Sequence, residues 1–152
     1  MKVDDILSSP FSFTRRAEYI PCDTRASWKC ALAILIIGIT GKDFTCSLKK
    51  IHTANWILKS KTHLKYFDEW TAKNSLFPPG VRMDPSIDRA IELLAASGHL
   101  EKSNGKLSLT DGGLVLYNGL SNEGVMLKEK EILISLKRKL SEAAVERIFK
   151  AR

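Results

Sequence analysis

The stretch that decides the fold is "LLAASGHLEKSNGKLSLTDGG", residues 93–113. Its first part is an apolar segment that stops at Gly98, where a glycine supplies the left-handed backbone that closes many helices. Asn104-Gly105 follows, and Asn-Gly is the strongest short signal for a two-residue hairpin turn, in which both turn residues have positive φ. The stretch therefore predicts the end of a helix, a β-hairpin and the start of another helix.

The hairpin register follows from this turn. Folding about Asn104-Gly105 pairs Ser103 with Lys106 and Leu100 with Leu109. Residues two apart in a strand share a face, so one face carries Leu100, Leu107 and Leu109. The other face carries Glu101, Ser103, Lys106 and Ser108. Because the turn chemistry and the alternation of polarity give the same register, we expect the leucine face to pack on the core.

Helices before the hairpin are predicted from apolar residues at helical spacing. The first begins at a cap on Asp23 or Thr24 and ends near Gly38. A second covers "SLKKIHTANWILKS", residues 47–60, and after a break the pattern continues in "HLKYFDEWTAKN", residues 63–74. The paired prolines of "LFPPG" then stop any helix.

The helix directly before the hairpin begins at Asp84-Pro85, with aspartate as the N-cap and proline as the first helical residue. Its inward stripe is Ile87, Ala90, Ile91, Leu94 and Ala95. The preceding "VRM", residues 81–83, is predicted as a short strand. After the hairpin, Thr110 or Asp111 caps a further short helix.

Together these elements predict a mainly α protein with a small β-hairpin, organised as a winged helix-turn-helix domain over residues 23–120. Residues 1–22 are expected to form an N-terminal arm, and residues 121–152 a C-terminal helical extension. A plain helical bundle with an incidental hairpin is the alternative.

Composition limits the function classes. The chain has 24 lysine and arginine residues against 17 acidic residues, a net charge of +7. This excess suits a nucleic acid or an acidic protein as partner, and equally suits ordinary solvated surface charge. The three cysteines and three histidines lack zinc-site spacing, and an odd cysteine number suits a reducing cytosol. We expect a cytoplasmic protein without metal or cofactor.

Membrane contact and catalysis are not expected. The first residues do not resemble a secretory signal, and "ALAILIIGI", residues 31–39, is too short to span a bilayer. The sequence has no Gly-rich phosphate loop followed by Lys-Ser or Lys-Thr, and no recognisable frame of nucleophile and base. A small-molecule substrate is therefore not predicted either.

Sequence-specific DNA reading is disfavoured. The outward face of the helix before the hairpin holds Arg89, Glu92, Leu93 and Ala96, whereas base readers present Arg, Lys, Asn or Gln. Non-specific contact with the DNA backbone stays open. Its candidate residues are Lys49, Lys50, Arg89, Lys102 and Lys106.

The C-terminal segment has two apolar faces when drawn as one helix at about 100° per residue. The inward face holds Val125, Met126, Ile132, Leu133, Leu136 and Leu140. Leu127 and Ile134 lie opposite, Ser141 and Ile148 continue that line at steps of seven, and Val145 lies beside it. A second apolar face predicts a partner. The predicted partner interface is Leu93, Leu127, Ile134, Val145 and Ile148. Alternatively, Ser141 starts a separate helix and both faces fold inward.

A family resemblance spans residues 11–117, in "FSFTRRAEYIPCDTRASWKCALAILI", "LKKIHTANWILKS" and "VRMDPSIDRAIELLAASGHL" with the hairpin. This pattern resembles the small middle components of bacterial three-component systems built around a coiled-coil ATPase of the SMC type, among them the Lamassu antiphage systems. The resemblance implies a non-catalytic winged-helix subunit that bridges or regulates the ATPase and an effector nuclease in antiphage or antiplasmid defence. The alternatives are a winged-helix transcription regulator and, more distantly, an unrecognised hydrolase.

Overall fold

A computed structural model of the protein describes residues 25–73 and 77–150. These residues are mainly helical, with seven helices and one small antiparallel sheet of three strands. The order is α1 (Ala26–Thr40), β1 (Thr45–Ser47), α2 (Leu48–Leu58), α3 (Lys61–Lys73), α4 (Pro85–Ala96), β2 (Leu100–Ser103), β3 (Lys106–Leu109), α5 (Asp111–Asn122), α6 (Leu127–Leu136) and α7 (Glu142–Lys150). The predicted mainly α class with a small hairpin is confirmed. Residues 1–22, with the predicted arm, lie outside the described part of the chain.

Helix α1 is the centre of the core. Its residues from Leu32 to Ile37 are all buried, so the helix has no polar side to turn toward water. A helix that is apolar all round must be enclosed, and α1 contacts the sheet and helices α2, α4, α5 and α6. The helix extends to Thr40, two residues past its predicted end at Gly38. Its predicted caps, Asp23 and Thr24, lie outside the described residues.

The hairpin forms in the predicted register. Asn104 and Gly105 have φ values of 52° and 74°, as the predicted turn requires. Leu100 pairs with Leu109 and Ser103 with Lys106. The leucine face of the hairpin is buried. Gly98, with φ of 81°, makes the predicted left-handed turn after α4.

The structure adds a strand that the sequence did not predict. Strand β1 pairs antiparallel with β3, with Cys46 opposite Leu107, so the sheet order is β1-β3-β2. The strand predicted at residues 81–83 does not form. That segment is irregular and contributes one buried side chain, Val81, to the core.

Both predicted helix starts near the hairpin are confirmed. The Asp84 side chain accepts the Ser86 backbone N–H at 2.9 Å, and Pro85 is the first residue of α4. The Thr110 hydroxyl caps α5 by accepting the Gly113 N–H at 3.2 Å. The predicted inward stripe of α4 is buried except for Ala95, which is half-buried.

The C-terminal segment forms two helices, so the prediction of one continuous helix was wrong. Helix α6 ends at Leu136, and α7 begins at Glu142. Ser141 caps α7, because its hydroxyl accepts the Ala144 N–H at 3.1 Å. Met126 and Leu133 are buried as predicted, but Val125 is exposed. Met126 adopts a left-handed conformation directly before α6. Val125 therefore lies outside the helix, and its predicted position on the inward helical face does not apply.

The Gly38 position tests how α5 covers α1. A Cβ on Gly38 would overlap the ring of Tyr117 in α5. Alanine favours a helix over glycine by roughly 1 kcal/mol, yet we expect Gly38→Ala to destabilise the protein by about 1–3 kcal/mol, because the half-buried ring has to move. Gly119→Ala is the matched control, since a Cβ there meets no atom within 4 Å. It should leave stability unchanged or raise it. Urea unfolding measures both changes, and equal stability of the two variants would contradict the packing of Tyr117 on α1.

Candidate functional site

Two surfaces carry those predicted site residues that are exposed. The first, called here the helix-hairpin face, consists of the exposed side of α4 and the exposed residues of β2 and β3. The second is the outer side of α6. The two surfaces differ in chemistry, since the first mixes charges with one leucine and the second is aliphatic at its centre.

The helix-hairpin face presents few unpaired cations. Lys102 reaches from the hairpin to pair with Glu92 of α4. Arg89 and Lys106 are exposed and form no ion pair within the described residues. Leu93 is 54% exposed on the same helix. The outward position predicted for these residues is confirmed, and the face combines two unpaired cations with an apolar residue.

Two of the predicted DNA-binding lysines, Lys49 and Lys50, make contacts within the fold. Lys50 is buried, and its Nζ donates to the carbonyl oxygen of Thr40 at 2.7 Å, at the C-terminal end of α1. Its predicted contact with DNA is therefore wrong. Lys49 is half-buried, pairs with Glu146 of α7 at 3.6 Å, and lies 5.7 Å from the centre of the Phe149 ring. Helix α7 packs against α2 near these two lysines, a contact that the sequence did not predict.

The predicted partner residues divide into exposed and buried pairs. Leu127 and Ile134 are 60% and 65% exposed on the outer side of α6, as a partner surface requires. Val145 and Ile148 are fully buried, so their assignment to the partner interface was wrong. Helix α7 turns inward because the Glu142 carboxylate accepts the backbone N–H of Ser47 at 3.0 Å and its hydroxyl at 2.7 Å.

A polar cluster that sequence reasoning missed lies at the start of α4. Asp84 Oδ2 accepts from Lys59 Nζ at 2.8 Å, from Asn55 Nδ2 at 3.3 Å and from Lys29 Nζ at 3.4 Å. Burial alone would raise the pKa of the Asp84 carboxyl, but hydrogen bonds from Lys59 and Ser86 and the charge of Lys29 hold that pKa well below its usual range. Only the capping role of Asp84 was legible from the sequence.

Buried His52 extends this cluster. Its Nδ1 accepts the Asp84 backbone N–H at 3.1 Å, so the ring proton sits on Nε2 and is donated to Asp88 Oδ1 at 2.8 Å. The imidazole thereby ties α2 to the first turn of α4. These contacts account for both ring nitrogens.

The described cysteines are ordinary packing residues. Cys46 is buried between the sheet and the core, and burial raises the pKa of its thiol to about 12. Burial also raises the pKa of the half-buried Cys30 thiol. Reactive cysteines depend on a depressed pKa, so neither thiol has the character of a nucleophile.

The described residues contain no group of three or more His, Cys, Asp or Glu side chains placed to hold a metal ion. In the same part of the chain, no helix has the length and apolar character needed to cross a membrane. Comparison of the chain with protein-family models, curated proteins and solved structures gave no match. The resemblance to the ATPase-system subunits stays a prediction.

The Asp84 cluster gives a pH-dependent test. Asp84→Asn keeps a capping acceptor but leaves buried Lys29 without an opposite charge, and we expect a loss of about 2 kcal/mol at neutral pH. Because the folded-state pKa of Asp84 lies below the unfolded value of about 3.9, the contribution is complete above about pH 4 and is lost as the pH falls toward the lower folded value. Denaturant unfolding of both proteins should therefore show the gap narrowing below about pH 4.

The control is Glu146→Gln, which breaks a half-exposed pair with Lys49 and should cost less than about 1 kcal/mol. A gap between the wild-type protein and Asp84→Asn that stays constant from neutral pH to well below pH 4 would contradict the charge-based account.

Proposed function

We propose that this protein is a non-catalytic winged-helix subunit of an SMC-like ATPase complex. The element order supports the winged-helix part, because α1, β1, α2 and α3 precede α4, and the β2-β3 hairpin follows it. Strand β1 pairs beside the hairpin and makes it part of a sheet. A helical bundle with an incidental hairpin does not call for that pairing.

The observation that carries the assembly role is the outer side of α6. Single exposed apolar residues are normal on protein surfaces. Leu127 and Ile134, however, are seven residues apart on one helix, which places them on the same line. Leu133 and Leu136 bury the opposite side of that helix in the core. An aliphatic line of this spacing suits packing against a helix of another protein.

The class of partner comes from the resemblance of residues 11–117. On that basis, the helix that packs against α6 belongs to an SMC-like coiled-coil ATPase. The subunit then bridges or regulates that ATPase and an effector nuclease. The defence role and a cytoplasmic location belong to the same proposal. DNA contact then occurs through the complex, with this subunit adding sequence-independent backbone contacts.

A transcription regulator is the second candidate, favoured by unpaired Arg89 and Lys106 on the helix-hairpin face. Glu92 and Leu93 on the exposed side of α4 weigh against it, because an anion and an apolar side chain are poor partners for base edges. Lys102 is also engaged by Glu92. We therefore place DNA contact second to protein assembly.

The assembly role predicts a separation of binding from stability. Leu127→Glu combined with Ile134→Glu should abolish co-purification with the proposed partner, a coiled-coil ATPase of the SMC type. The melting temperature should stay nearly unchanged, because both side chains already face water. Leu133→Glu should instead unfold the protein, since it buries a charge in the core. Affinity pull-down and thermal melting measure the two effects.

Val115→Glu is the matched control, because Val115 is an aliphatic residue of α5 that is 72% exposed. It should leave both co-purification and melting unchanged. If the doubly changed protein still co-purifies normally, or melts as early as Leu133→Glu, the outer side of α6 is not the partner surface.

The helix-hairpin face predicts weak, sequence-independent DNA binding. Arg89→Ala with Lys106→Ala should weaken binding to all duplex sequences alike and lower the salt slope by roughly one unit per lost phosphate contact. Lys102→Ala should have a smaller effect, because Glu92 already engages that ammonium. Fluorescence titration over a range of salt concentrations measures this, and tight preference for one operator at physiological salt would favour the regulator instead.

A further inference from the structure

A cleft lies beside the start of α4, separate from the helix-hairpin face. We call it the aromatic cleft. It has a volume of about 490 Å³, and its lining includes Trp56, Lys59, His63, Arg82, Met83 and Asp84. This volume falls within the range of about 300–1,000 Å³ typical of small-molecule sites. Another cleft lies between α4 and the hairpin, and it shares no lining residue with the aromatic cleft.

The wall of the aromatic cleft is a flat aromatic stack. The Trp56 and His63 rings lie 4.0 Å apart at an interplanar angle of 6°. His63 Nδ1 lies 2.7 Å from the Trp56 carbonyl oxygen, and because a carbonyl only accepts, Nδ1 donates this bond. The bond ties the end of α2 to α3 and fixes the imidazole against the indole. The stacked surface is therefore in place before any ligand binds, which lowers the entropic cost of binding.

The cleft also carries an excess of positive charge. Among the described residues, Asp84 is the only carboxylate that lines the cleft, and its two oxygens already accept hydrogen bonds from Lys29, Lys59, Asn55 and Ser86. Two lysines therefore face this one anion. Arg82 adds an exposed guanidinium that forms no ion pair within the described residues.

From these observations we propose that the aromatic cleft binds a nucleotide unit. The base stacks on the Trp56–His63 pair, and the phosphate is held by Arg82 and Lys59. Aromatic rings stack on the face of any base, and guanidinium groups bind phosphate in a bidentate manner. Together these contacts recognise nucleotides without reading their sequence.

A neighbouring cleft favours a single strand over a free nucleotide as the source of that unit. Lys59 lines both clefts, and Trp28 lines the neighbour, where Lys29 and Lys59 outnumber Glu129. A chain of nucleotides passing Lys59 would thus meet an aromatic ring on each side, the arrangement used by proteins that bind single-stranded nucleic acid.

The test is fluorescence anisotropy of a labelled oligothymidylate of roughly ten nucleotides, titrated with the full-length protein at about 50 mM salt. Arg82→Ala and Trp56→Leu should each weaken binding about fivefold or more, whereas Trp56→Phe, which keeps a stacking face, should retain it. Lys42→Ala is the charge-matched control and should change the affinity less than twofold. Lys42 is exposed just beyond the C-terminal end of α1, whereas Lys29, near the other end of that helix, contacts Asp84 of the cleft. Circular dichroism melting checks that each variant is folded, and exposed Arg82 keeps the test valid if Trp56→Leu does not fold.

Competition with thymidine monophosphate distinguishes the two sources. Displacement of the oligomer by the mononucleotide at similar concentration supports a free-nucleotide site, and failure to displace it supports a single strand. The proposal is overturned if neither ligand binds the wild-type protein, or if Lys42→Ala weakens binding as much as Arg82→Ala. It is also overturned if folded Trp56→Phe loses as much affinity as Trp56→Leu. The proposed assembly through α6 does not depend on the result.

Discussion

The enclosure of α1 is the constraint on which the rest of the fold depends. From Leu32 to Ile39 the helix is buried along its length apart from Gly38, and its six leucine and isoleucine side chains contribute on the order of 10 kcal/mol. That sum is comparable to the whole net stability of a domain, so the fold requires every side of α1 to be covered. Helices α4, α5 and α6 and the sheet each cover part of it. Helix α6, set apart in the sequence as an extension, is thus one wall of this enclosure.

The same constraint explains where much of the positive charge goes. Lys50 and Lys130 are buried, and each donates to a carbonyl at the C-terminal end of a helix, Thr40 in α1 and Glu123 after α5. A cation at that end donates to a carbonyl that has no partner within the helix, and it is attracted by the partial negative charge of the helix dipole. Buried Lys29 instead forms an ion pair with Asp84, the residue that caps the N-terminal end of α4. The net charge of the sequence therefore overstates the positive charge available to a partner.

The parts that the sequence predicted are those set by local chemistry. The turn at Asn104-Gly105, the cap at Asp84 and the left-handed Gly98 depend on residues within a few positions of one another, so their geometry was predicted correctly. Strand β1 was missed because it has three residues and is defined only by pairing with a strand about sixty positions later. Gly38 was taken as a helix end, although it lies within α1 where the Tyr117 ring leaves no room for a side chain.

The candidate sites were less predictable, because exposure depends on distant packing. Periodicity joined Val145 and Ile148 to the line of Leu127 and Ile134, and only the break before Ser141 separates the two pairs. Ser141 is an ordinary N-cap residue, and this interpretation had been an open alternative for the segment. The aromatic cleft had no sequence signal of its own, since Trp56, His63 and Arg82 come from two helices and a loop.

The aliphatic line that Leu127 and Ile134 form on α6 is too small to make a stable interface by itself. Burying two aliphatic side chains contributes about 3–6 kcal/mol, which is near the lower limit of the cost of bringing two proteins together. A lasting complex therefore needs contacts beyond Leu127 and Ile134. Exposed Val125 directly precedes the helix, and the exposed residues Lys128, Glu131 and Arg138 surround the line with mixed charge. An apolar centre with a charged rim is the usual anatomy of a specific interface. In helix pairs such flanking charges select the partner more than they strengthen binding, so in the proposed complex the charges around Leu127 and Ile134 would select the helix that packs on α6.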